Sequence, residues 1–72
     1  MSYKVGEIYR TGNLPDSTFL YDSYLIITDI VKESIHYDYI IPQSQFYIKP
    51  IELFNANHLR LISPVEKELL DL

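Results

Sequence analysis

The chain has 72 residues, ten acidic against six basic side chains for a formal charge of −4, and no cysteine. A chain of that size makes one domain with one modest core, and without thiols neither a disulfide framework nor a thiolate zinc site can staple it. The bases Lys4, Arg10, Lys32, Lys49, Arg60 and Lys67 are scattered singly, which disfavours duplex nucleic acid and anionic membranes as partners, since both are met by clustered cations.

Charged residues fall within "MSYKVGEIYR" and no apolar run reaches signal-peptide or membrane-spanning length, so the expectation is a cytoplasmic protein without a membrane segment. Residues 3–10, "YKVGEIYR", read as a first strand bent at Gly6, because glycine inside a strand pattern marks a kink or bulge. Then "TGNLPDSTFLYD" supplies turn residues for a long loop, of which 11–19 is a candidate binding segment. "SYLIITDIVK" is apolar on both alternating faces and reads as a central strand. A reversal near residues 32–34 makes "ESIHYDYIIP" its antiparallel partner, with Ile35, Tyr37, Tyr39 and Ile41 on one face.

"PQSQ" turns the chain into a short strand "FYIK", ended by Pro50. Its inward face is expected to carry Phe46 and Ile48, with Tyr47 and Lys49 outward. "PIELFNAN" reads as one helical or 3₁₀ turn that drops Phe54 onto the core, with Glu52, Asn55 and Asn57 outward. "HLRLIS" closes the sheet with Leu59 and Leu61 inward and Arg60 outward. In "SPVEKELLDL", Ser63 as N-cap, Pro64 at the first helical position and Glu66 three residues after the cap predict a short helix to about Leu70.

These elements predict a mainly β fold, an SH3-like partly open five-stranded barrel over 1–62, followed by a short C-terminal helix over 63–72 packed on the barrel or on a partner. The segments "YKVGEIYR", "YLIITDI", "YDYII", "FYIKPIELF" and "HLRLI" resemble the small SH3-like barrel proteins of bacteriophages and prophages, which implies an accessory protein of that setting. "FYIKPIELF" is also similar to a segment of short bacterial domains, carried here by Tyr47, Lys49, Pro50, Glu52 and Phe54. "LYDSY" and "YDY" resemble the tyrosine motif of signalling SH3 domains. The tryptophan pair that should follow is missing, so proline-rich peptide binding is not carried over.

His36 and Asp38 share a strand face at a spacing that two metal ligands could use, but only His58 could join them, and a solvated face is the favoured reading. No phosphate loop, nucleophile elbow or carboxylate pair is present in the sequence, so neither an enzyme nor a cofactor site is expected. Tyrosines carry the interaction reading, because exposed tyrosine offers contact area at low entropic cost. The expected function is a non-catalytic interaction module that binds a protein or itself through Tyr9, Arg10, Tyr21, Tyr24, Tyr47, Lys49 and Glu52. The alternative is a single-stranded nucleic-acid binder stacking bases on Tyr9 and Tyr47, with Arg10 and Lys49 alongside.

Overall fold

A computed structural model describes residues 2–12, 17–19, 22–41 and 46–72. The elements in chain order are β1 (Ile8–Arg10), β2 (Tyr24–Val31), β3 (Ser34–Ile41), β4 (Tyr47–Pro50), α1 (Ile51–Asn57), β5 (Arg60–Leu61) and α2 (Pro64–Leu69). The five strands form one antiparallel sheet in the order β4-β3-β2-β1-β5. That sheet curls without closing, with its first strand inside, a long connection after it and a helix before the last strand. The architecture is the expected mainly β, SH3-like partly open barrel.

Local chemistry explains the pieces. Gly6 sits at φ +91°, a backbone that only glycine adopts at low cost, and it turns the lead-in so that Gly6 N–H reaches Ile27 O at 2.8 Å. Strand β1 is therefore shorter than the segment read from the sequence. The β2–β3 hairpin turns on Lys32 and Glu33, with Val31 paired to Ser34 and Lys32 at positive φ, as a two-residue hairpin loop requires. A register shift between Ile27 and Asp29 leaves Thr28 as an extra residue. Leu25 and Ile27 point inward before it and Ile30 returns inward after it, opposite Ile35.

The concave face holds Tyr3, Tyr9, Phe19, Leu25, Ile27, Ile35, Tyr37, Tyr39 and Phe54. Phe54, fully buried on α1, closes this face. Its ring meets those of Tyr3, Phe19 and Tyr37 edge-on, at centroid distances of 5.4, 5.3 and 5.5 Å. α1 is a seven-residue α-helix rather than a single turn, and His58 ends it in the left-handed region. Among the described residues no helix is long and apolar enough to cross a membrane.

Burial of the tyrosines ties the fold to pH. The Tyr9 and Tyr37 hydroxyls are held well above their ordinary value of 10.0, mainly by burial, with Glu7 accepting from Tyr9 at 3.0 Å. A raised folded-state value means that this stabilisation is complete below pH 10.0 and is lost as pH rises beyond it, because the unfolded chain releases those protons first. In an alkaline titration, phenolate absorbance is therefore expected to step up together with loss of the β circular-dichroism signal. A smooth titration of all tyrosines near pH 10 with the fold intact would contradict the packing.

Candidate functional site

Strand β4 inverts the expected faces. Tyr47 stacks on Tyr37, its register partner, at 5.7 Å, and Lys49 faces Ile35 on the concave side. Phe46 and Ile48 point outward instead, each 57% exposed. The physical reason is ring packing. Tyr47 joins the Tyr37–Tyr39 cluster, with its ring edge-on to Tyr39 at 5.5 Å. The Lys49 stem spans the core rim until its ammonium lies 4.9 Å from the Phe19 ring centre and donates to Thr18 O at 3.1 Å. Burial pushes the Lys49 ammonium below its ordinary value.

Further corrections concern the closing segment and β1. Leu59 packs on the core as expected, but Leu61 is half exposed at the β5 edge, while Ile62 is buried and its N–H bonds Ile8 O at 3.0 Å. Asn57, read as outward, is buried. It accepts from Thr18 N–H at 3.2 Å and donates to Leu53 O at 2.6 Å and to Thr18 Oγ1 at 3.2 Å. Tyr9, expected in the contact surface, is buried against Tyr3.

The described residues of the expected contact surface do not come together. Arg10 and Tyr24 pair on the convex side, with the guanidinium 5.5 Å from the ring centre and Nη1 donating to the hydroxyl at 3.3 Å. Tyr47 and Lys49 lie on the concave side of the opposite edge strand, and Glu52 is exposed on α1. Tyr21 lies outside the described residues, as does part of the loop 11–19. The loop's described ends are tied down: Thr11 and Ser23 bond reciprocally at one, and Thr18 meets Asn57 and Lys49 at the other. With Tyr9 buried and Lys49 engaged, the four residues proposed to stack and hold single-stranded nucleic acid form no common platform.

Two arginines, Arg10 and Arg60, stand opposite each other across β1 and β5. Their repulsion is relieved by Asp22, 3.9 Å from Arg10, and by Glu66, which accepts two bonds from Arg60 at 3.0 Å and is thereby held below its ordinary carboxylate range. Those bonds and the Ser63 cap, whose Oγ accepts from Glu66 N–H at 3.1 Å, anchor α2. None of α2's residues is buried, and a shallow cleft of about 280 Å³ separates it from β1, lined by Gly6, Ile8, Ile62, Pro64 and Lys67. Among the described residues, no three His, Cys, Asp or Glu side chains converge.

What remains is the β4 edge, which the sequence pattern assigned to the core. Phe46 and Ile48 sit side by side on its convex face, and the Phe46 ring is steadied by a stack on His36, 5.9 Å between centroids. On the same face of β3 as His36, Asp38 Oδ1 is buried and has no hydrogen-bond partner among the described residues. Ile51 N–H bonds Glu33 O, so by strand alternation the backbone groups of Tyr47 and Lys49 face β3 and those of Ile48 face away from the sheet. Among the described residues, no strand pairs with that side. Comparison with family models, with curated proteins and with solved structures finds no match to this chain.

Proposed function

We propose that the chain is a non-catalytic protein-interaction module whose contact surface is the β4 edge with its outward Phe46 and Ile48. The observation that carries this reading is the pair of adjacent large apolar side chains, each more than half exposed, on the convex face of an edge strand whose outer side is paired by no strand among the described residues. An unpaired edge is a template for strand addition, and neighbouring apolar side chains add area and selectivity to it. The phage-accessory setting implied by the strand segments is part of the proposal, and so is a bacterial cytoplasm as its place.

The test compares wild type with the double variant F46S/I48K, immobilised and exposed to total bacterial protein to which a tagged copy of the chain has been added. At least one protein, or the tagged copy, is expected to be retained by wild type and reduced about tenfold or more on the variant. An identical bound set on both would overturn the reading.

A further inference from the structure

We infer that the partner of this edge is a second copy of the chain, added antiparallel through β4 with Ile48 on the two-fold axis. The inference rests on the interaction reading above and names its occupant from the chemistry of the strand itself.

Phe46, Ile48 and Pro50 share the convex face, and all three are exposed. Reversed against itself about Ile48, this row places Ile48 beside Ile48 of the second copy and Phe46 beside its Pro50, so apolar meets apolar along the whole segment. The backbone agrees. Ile48 turns both its N–H and its carbonyl outward, so the two copies exchange a reciprocal pair of hydrogen bonds there. Pro50 has no N–H to give and, as the N-cap of α1, turns its carbonyl to the first intrahelical bond, so it adds packing against Phe46 and no further bond.

The neighbouring registers lack this match. Sliding the pairing one step in one direction would set Ile48 opposite Pro50 of the second copy, which has no N–H to exchange. One step in the other drops Pro50 from the ladder and moves the axis to Tyr47, which is half buried in its own core. Lysine and proline commonly guard edge strands. Here Lys49 is drawn to Thr18 O, away from the edge, and Pro50 ends the ladder. The assembly is thus a closed two-fold dimer rather than a fibre.

Light scattering and sedimentation from about 1 µM to about 1 mM are expected to show monomer passing to dimer and no larger species. I48K should weaken dimerisation at least tenfold, and its fold is checked by circular dichroism, since Ile48 lies outside the core. Because the chain has no cysteine of its own, disulfide trapping reads the register directly. Paired residues at such an axis lie about 5.5 Å apart at Cα, inside the disulfide range. I48C should oxidise to a covalent dimer, and F46C mixed with P50C should cross-link more than either alone. A monomer at every concentration, or a dimer untouched by I48K and untrapped by I48C, overturns the inference. If wild type is monomeric yet captures another protein through Phe46 and Ile48, the second copy is excluded while the interaction surface stands. If that capture fails as well, both readings fall.

Discussion

Replacing Phe54 by alanine is expected to remove about 3–5 kcal/mol of stability, a third or more of what a domain of this size holds at about 0.05–0.15 kcal/mol per residue. The size of the effect follows from position. Phe54 is fully buried and meets Tyr3, Phe19 and Tyr37 edge-on, three rings contributed by the lead-in, the β1–β2 connection and β3. Truncation opens a cavity that those rings cannot easily fill, because Tyr3 is tethered through its hydroxyl to Asn55 Oδ1 at 2.9 Å and Tyr37 is fixed in the sheet. F54L keeps most of the volume and should cost far less. Urea unfolding followed by circular dichroism measures both, and an F54A midpoint close to wild type would show that α1 is not the lid of the core.

How much of this was legible from the sequence depends on how local the deciding contact is. The hairpin at residues 32–33 and the Ser63–Pro64–Glu66 helix start are decided within a few residues and are found as read, and Gly6 bends the chain as read although it lies in a turn before β1 rather than inside a strand. The inward set Ile35, Tyr37 and Tyr39 was equally plain, because polar residues mark the other face along most of β3. Strand β4 offers no such mark. In Phe46-Tyr47-Ile48 three apolar residues follow one another, so a period of two fits either face and a one-residue choice flips every side chain. The decision comes from Tyr37 and Tyr39, which lie on the neighbouring strand and accept the Tyr47 ring. That one inversion moves the candidate site: Tyr47 and Lys49 go to the concave side and the exposed apolar pair becomes Phe46 and Ile48. Tyr9 shows the same limit, since its burial depends on Tyr3 packing across it.

Asn57 was beyond reach of the pattern for the same reason, its partner Thr18 being 39 residues away, and it carries the second large expected effect. The side-chain amide does three things at once: Oδ1 accepts from Thr18 N–H, while Nδ2 donates to Thr18 Oγ1 and to the Leu53 carbonyl within α1. It thereby pins the end of the β1–β2 connection onto the helix and holds the adjacent Phe19 ring against Phe54. N57A should cost about 1–3 kcal/mol, the range for leaving buried partners unsatisfied, and should speed hydrogen exchange at the Thr18 amide. N57D separates hydrogen bonding from packing. It keeps the acceptor for Thr18 but sets a carboxylate oxygen where Nδ2 now donates to Leu53 O, near the carbonyl end of α1, where negative charge is unfavourable. N57D should therefore be less stable than N57A at neutral pH and regain stability when acid protonates the new carboxyl. Equal stability of wild type, N57A and N57D, with unchanged Thr18 exchange, would mean that the connection is held by Phe19 and Lys49 alone.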